Sequence, residues 1–347
     1  MNRRRFIALA GTLAGLGRIG CAPRPNSNIL RVSAAPYFPV SGLYLAKELG
    51  YFADLGLQIH IERVAASAQA IPLAAAGKLD AVFCASSASL VNAIARGSRL
   101  RIVAGRDIAA PSCPDLNVLY GRRAVFPNGL QDIRIIKGKR VAADLTIGTA
   151  QFGVDMILAS AGMTLEELGV MDLNKPELIL SLLSGKVDAI IVSDFARRFV
   201  NVADQIVRGI SLADVLPNHQ VSFVVFGARL LDGEPDIGSK FLSAYLRGVR
   251  EYLGGKTPRF HDELAASNGM DPVQARKACR DSIVPDGRID LPSLERFVQW
   301  ATAKGFCPVS IPAAKLVDMR FLEMQGSKHE DATRPVVALP ITGASQS

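Results

Sequence analysis

One pattern occurs twice in this chain, and that repetition limits the fold more tightly than any other feature. The first copy opens with the apolar run Arg31-Val32-Ser33-Ala34-Ala35. It passes through the loop Pro36–Gly42 and a helical stretch ending near Gly50, and closes on Gly77-Lys78-Leu79-Asp80-Ala81-Val82-Phe83. The second opens with Lys139-Arg140-Val141-Ala142-Ala143. It passes through Asp144–Thr149 and a helix ending at Gly162, and closes on Gly185-Lys186-Val187-Asp188-Ala189-Ile190-Ile191. Val32 lies 45 residues before Gly77, and Val141 lies 44 before Gly185. In each copy a helix stops at a glycine, which takes the left-handed conformation after a helix without a Cβ penalty. The neighbouring Lys suits the negative helix end. The apolar run that follows lacks strict alternation, as a strand buried on both faces should. Two such β-loop-α units predict two similar α/β lobes.

The rest of the chain fits around these units. Its 347 residues are too many for one simple core, and an apolar content of 49% is enough to fill two. A helix is expected over Ala88–Arg96, stopped by Gly97, with strands over Leu100–Gly105 and Val221–Phe226. Further helices are expected at Ile237–Leu253, His261–Asn268, Pro272–Asp281 and Pro292–Lys304. The polar tail 326–347 reads as disordered.

Residues 1–21 read as an address. Arg3, Arg4 and Arg5 precede an apolar, Gly-containing stretch from Phe6 to Gly17, too short to span a bilayer and suited to a secretory signal. The paired arginines with Phe6 behind them resemble a twin-arginine export signal, the alternative being an ordinary secretory signal. Ile19-Gly20-Cys21 resembles the end of a lipoprotein box, which makes Cys21 a candidate for lipidation, with simple cleavage as the alternative. Residues 22–28 form a linker. The net charge of +8 owes half its size to the leader arginines, including Arg18. The remaining Lys and Arg are scattered among acids, which argues against a nucleic-acid face.

Gly42-Leu-Tyr-Leu-Ala-Lys-Glu-Leu-Gly-Tyr-Phe-Ala-Asp-Leu-Gly-Leu57 resembles the opening of the nitrate, sulfonate, taurine and thiamine-precursor binding proteins of ABC importers. The paired Gly-Lys-x-Asp-Ala elements and Leu165-Glu-Glu-Leu-Gly-Val170 resemble later elements of the same family. The resemblance spans roughly residues 30–305. It implies a two-lobed type II periplasmic binding fold, α/β, each lobe a mixed sheet flanked by helices, with a hinge of two crossing segments. Lobe one is then discontinuous, 29–110 with 226–325, and lobe two, 111–225, is inserted. The crossings fall near Ile108–Asn117 and His219–Phe226. The implied function is an extracytoplasmic receptor, a monomer that closes on a small molecule and delivers it to an ABC permease with a cytoplasmic ATPase.

In open α/β sheets ligands lie beyond the carboxyl ends of the strands, which selects four loops. The first carries Tyr37 and Phe38 as a candidate aromatic wall, or as core, and Ser41 as a cap and ligand donor. The second carries Ser86 and Ser87, either of which is also a helix cap. The third, Thr146–Thr149, enters a helix whose N–H groups suit an anion, with Gly148 allowing close approach and Thr149 adding a hydroxyl. The fourth carries Ser193 and Asp194, a cap or a partner for a cationic or hydroxylated ligand. Arg106 or Arg197 would neutralise an anion. These polarities conflict and leave the ligand open among sulfonates, nitrate, pyrimidines and aromatic carboxylates.

No motif for chemistry stands out. The four histidines, His60, His219, His261 and His329, include no close metal-ligand pair. No nucleophile elbow or phosphate loop occurs, and no cofactor or metal is expected. A biosynthetic enzyme on the same fold and a sensory receptor remain the alternatives. Cys84, Cys113, Cys279 and Cys307 are expected as free buried thiols, with Cys279–Cys307 or Cys84–Cys113 as possible bridges in an oxidising compartment.

Overall fold

The computed structural model describes residues 28–64, 69–193, 204–267, 272–276 and 279–326. The expectations for the leader, Cys21, Asp194, Arg197 and residues 327–347 lie outside these residues. The first repeat copy runs β1 (Ile29–Ala34), α1 (Ser41–Glu48), β2 (Gln58–Arg63), α2 (Ala70–Ala75) and β3 (Ala81–Ala85). After α3 (Ala88–Ala95) and β4 (Arg101–Gly105) the chain crosses to β5 (Val118–Arg122). The second copy runs β6 (Val141–Ala143), α4 (Thr149–Ala159), α5 (Leu165–Leu168), β7 (Met171–Asp172), α6 (Lys175–Leu183) and β8 (Ala189–Val192). Then come β9 (Ile206–Ser211), α7 (Leu212–Val215) and the return to β10 (Ser222–Phe226). The chain continues with α8 (Pro235–Leu253), α9 (Phe260–Ser267), α10 (Pro272–Arg276), α11 (Leu291–Ala303) and α12 (Arg320–Gly326).

The repeat is a repeat of topology. One sheet has the order β2-β1-β3-β10-β4 and the other β7-β6-β8-β5-β9. β1 lies parallel to β2 and β3, and β6 parallel to β7 and β8. Each sheet takes one antiparallel strand from a crossing: β10 pairs with β3 and β4, and β5 with β8 and β9. The apolar strand Ser222–Phe226 thus belongs entirely to the first sheet. The expected end of lobe two at residue 225 overlaps it, because composition alone does not say which sheet a buried strand enters.

The Gly-Lys-x-Asp motif has a common structural role. Gly77 and Gly185 adopt φ of 69° and 77°, the left-handed values that favour glycine. The Asp80 carboxylate accepts the Arg31 N–H at 2.8 Å, and Asp188 accepts the Arg140 N–H at 3.0 Å. Each acid ties the loop entering β3 or β8 to the start of the neighbouring parallel strand. Asp188 also binds the Arg140 guanidinium at 2.6 Å, which holds its carboxyl below the ordinary range.

Helices cover both faces of each sheet. On one face of the first sheet, Phe83, Phe226, Phe241 and Tyr245 pack with residues of α1 and α9. On the other, Val82, Phe223 and Val225 pack with α2, α3 and α11. Gly42 lets α1 approach α8 closely, since a Cβ there would lie 2.6 Å from Val249. Pro72 sits in the first turn of α2, where its missing N–H costs little.

The hinge contains the two expected crossings laid side by side. The Ala109 N–H donates to the His219 carbonyl at 2.8 Å, and the Val221 N–H to Asp107 at 2.9 Å. A third segment flanks them: the Ile108 N–H donates to Ser282, and the Val284 N–H to Arg106. Cys113 and Cys279 form a disulfide here, with Cα atoms 5.9 Å apart. This corrects both expected pairings and the expectation of four free thiols. Cys84 and Cys307 are free and buried in the first-sheet core, while Cys113 and Cys279, 166 residues apart, meet at the hinge. Only the tertiary path brings the latter two together.

Candidate ligand-binding cleft

The loops at the carboxyl ends of the parallel strands face one another across the lobes. The Thr149 N–H, at the start of α4, donates to the Ser86 carbonyl after β3 at 3.1 Å, and the Thr149 hydroxyl donates to the Val221 carbonyl at 3.1 Å. Gly148 stands at φ 155°, and a Cβ on it would lie 2.9 Å from the Ser86 carbonyl oxygen. Glycine is therefore required both by conformation and by closeness. Ser86, Gly148 and Thr149 are brought together, but they seal the floor between the lobes. The helix N–H expected to hold an anion is already occupied by a carbonyl.

The other expected residues divide. Ser87 caps α3, accepting the Leu90 N–H at 3.4 Å. Ser193 accepts the Asn117 N–H at 3.1 Å. Ser41 is fully buried as the first residue of α1; it donates to the Phe38 carbonyl and lies 2.6 Å from His261 Nε2. It is turned into the core and is not the helix cap, a position held by Val40. Phe38 is buried edge-on to His261, with ring centroids 4.9 Å apart. Tyr37 remains outside at 39% exposure, the aromatic of its loop that lines the mouth. Arg106 is only 5% exposed; its guanidinium lies 3.2 Å from Asp107 and over the Phe83 ring.

Three features of the cleft carried no clear signal in the chain. Asn117, at φ 47° and buried, ends the first crossing; its amide donates to the Ala150 carbonyl at 2.8 Å and its N–H to Ser193. It thereby fixes the start of α4 and the loop after β8 together. At the mouth, Lys175 follows β7 and places its ammonium 5.2 Å from the Tyr37 ring centroid and 4.0 Å from Asp144. Away from the mouth, Phe152 of α4 enters the first-sheet core against His219, Phe297 and Trp300. One turn on, buried Asp155 accepts the Trp300 indole N–H at 2.8 Å and lies 3.3 Å from the Lys304 ammonium. Burial, followed by the nearby Arg296, pushes the His219 imidazole down to about 4, so it is neutral near pH 7.

Two sheets of one strand order, joined by crossings that exchange a strand, with loops meeting at their carboxyl ends, define the class: a two-lobed α/β protein of type II periplasmic-binding fold. The chain belongs to the NMT1/THI5-like family, whose model matches residues 38–254. Among solved structures it is similar to the alkanesulfonate-binding protein SsuA of Xanthomonas axonopodis pv. citri bound to MOPS. That match has 15% identity and a TM-score of 0.63, covering 84% of this chain and 98% of that one. It is similar to the periplasmic aliphatic sulphonate-binding protein SsuA of Escherichia coli at 14% identity and TM-score 0.66, covering 91% and 98%. It is also similar to the nitrate-binding protein NrtA of Synechocystis PCC 6803 at 12% identity and TM-score 0.62, covering 88% and 90%. At these identities the likeness is one of fold. No curated protein matches.

Proposed function

We propose that the protein is an extracytoplasmic solute receptor that closes on a small organic or anionic ligand and hands it to an ABC permease driven by a cytoplasmic ATPase. The observation that carries this reading is the mouth of the cleft, where exposed Tyr37 of the first lobe meets Lys175 of the second. A solute bound there touches both lobes and favours the closed form, since only differential contact shifts such an equilibrium. The family and the fold of the sulfonate- and nitrate-binding proteins support it. The receptor performs no chemistry. The Ser41–His261 pair has the composition of a nucleophile and base, but both residues are fully buried.

A leader-like N-terminus and the hinge disulfide both suit an oxidising, extracytoplasmic compartment. No helix among the described residues is long and apolar enough to cross a membrane. Anchoring through acylated Cys21 is part of the proposal, and mass analysis of the exported protein reads it directly. The receptor reading is tested by thermal unfolding with sulfonates, nitrate, pyrimidines and aromatic carboxylates. A ligand specific for the native form raises Tm with concentration. No rise across all four classes, or turnover of a compound that binds, counts against the reading.

A further inference from the structure

We propose that the outer end of lobe two docks on an anionic phospholipid surface, through cations that the fold gathers from separate segments. This goes beyond the receptor reading and does not depend on it. β5 and β8 run antiparallel, with Val118 beside Val192 at the cleft and Gly121 beside Ala189 at the far end. At that far end the Arg122 N–H donates to the Asp188 carbonyl at 3.0 Å, and the Asp188 N–H to the Arg140 carbonyl at 2.8 Å. The Arg122 guanidinium lies against Gly185, where a Cβ would stand 2.9 Å from it. Arg122, Lys139, Arg140 and Lys186 therefore share one end of the sheet, and Arg123, Arg134 and Lys137 flank them in the chain.

The acids nearby are largely engaged. Asp132 holds Arg134 at 2.9 Å, and Asp188 holds Arg140 at 2.6 Å. Glu167 closes the cap on Thr164, and Glu166 lies in the field of Lys304 of the first lobe. Lys137, Lys139 and Lys186 are exposed and pair with no acid among the described residues. At the matching end of lobe one the arginines are engaged instead. Arg229 pairs with Asp80 at 3.5 Å and Glu234 at 3.0 Å, Arg99 pairs with Asp232, and Arg31 donates to the Gly77 carbonyl at 3.4 Å. The duplicated lobes thus differ in the uncompensated positive charge at their outer ends.

The apolar groups among these cations point to a membrane as the partner. Ile135 is 42% exposed between Arg134 and Lys137, on a turn whose Ile133 and Ile136 are buried. An apolar side chain amid cations suits the boundary between head groups and acyl chains, where a soluble polyanion offers it nothing. Beside Arg122 and Arg123 a recess of about 400 Å³ is walled by Leu182, Leu183, Ile206 and Asp204. A phosphodiester head group fits there, its phosphate on Arg122 and a hydroxyl donating to the Asp204 carboxylate. Cations within a Debye length of an anionic surface add their attractions.

The test is co-sedimentation of the full chain with phosphatidylcholine vesicles, with and without phosphatidylglycerol. Every variant carries Arg3→Gln, Arg4→Gln, Arg5→Gln and Cys21→Ser, so that neither the basic leader nor a lipid anchor binds in its place. This parent chain is expected to bind only the vesicles that contain phosphatidylglycerol, and to be released by salt. Adding Lys137→Gln, Lys139→Gln and Lys186→Gln should weaken binding roughly a hundredfold, about fivefold per charge. Adding Lys78→Gln, Lys240→Gln and Lys315→Gln instead removes three exposed cations of lobe one and should weaken it far less. Ile135→Ser should weaken binding and leave its salt dependence unchanged. Urea midpoints equal to that of the parent separate these effects from misfolding. The proposal is overturned if the two triple variants bind alike, if neutral vesicles are bound equally well, or if no vesicle is bound. Binding to heparin without binding to vesicles also overturns it, by marking a soluble polyanion as the partner. None of these outcomes bears on the solute screen, so the receptor reading stands or falls separately.

Discussion

Two of the contacts between the lobes, the α4–α11 seam and the mouth, are built from different materials. At the α4–α11 seam the contact is buried: Phe152 is fully enclosed among Phe297, Trp300 and His219, and Asp155 receives the Trp300 indole. At the mouth the contact is a lysine over an exposed tyrosine, backed by a long ion pair. Opening the seam exposes large aromatic surface and strands a buried carboxylate, whereas opening the mouth loses little. The difference teaches where motion belongs. On the receptor reading proposed above, the seam is the costly contact to open and the mouth the edge expected to part.

The largest effect that could break this contrast is Phe152→Ala. Truncating a fully buried phenylalanine should cost about 3–5 kcal/mol, read by urea unfolding, and loosen both lobes at once. A loss under about 1 kcal/mol would show that the seam is not a shared core. Replacing both Cys113 and Cys279 by Ser should cost about 2–4 kcal/mol and widen the range of hinge opening, seen by scattering from the ligand-free protein. Asp155→Ala should remove about 1–3 kcal/mol by leaving the indole N–H without its partner. Because Trp300 is the only tryptophan, the same variant should shift its emission, while ligand binding to the native protein should not.

The seam also carries a pH signature. His219 and, inside lobe one, His261 are both pushed from 6.5 to about 4, mainly by burial. The unfolded chain therefore takes up protons first as the pH falls. Stability should be full above the ordinary imidazole range, decline as the pH drops from 6.5 toward 4, and level off below it. His219→Gln should flatten part of that slope in denaturation midpoints compared at pH 7 and pH 5. The smallest effect belongs to the mouth: Lys175→Gln should change stability by no more than about 0.5–1 kcal/mol. A loss as large as that at the seam would contradict a mouth that parts easily.

Much of the fold was legible because its signals are local. The two Gly-Lys-x-Asp elements mark a helix stop and a strand start, and both do so with glycine at positive φ. Leu165–Val170, read in the chain only as resembling a family element, opens with a short helix, Leu165–Leu168, with Thr164 and Glu167 in a reciprocal cap and Gly169 at φ 56°. The cleft was less legible. Hydroxyl residues before helices look alike whether they cap, seal or bind. Ser87 caps, Ser86 and Thr149 seal, and Ser41 faces inward. Lys175 and Asn117 gave no warning, because their partners lie in distant segments.

The sequence by itself determined two duplicated α/β lobes, their helix stops and most of their strands. These depend on periodicity and on backbone preferences that act within a few residues. Tertiary structure alone decided that β5 and β10 serve as the antiparallel strands, that Cys113 meets Cys279, and that α4 is anchored in the first lobe by Phe152 and Asp155. Each of those outcomes joins groups far apart in the chain, and nothing local distinguishes one buried strand or thiol from another. The physical reason is that burial is chosen collectively, by the packing that leaves the fewest apolar surfaces and unpaired polar groups exposed to the wrong environment.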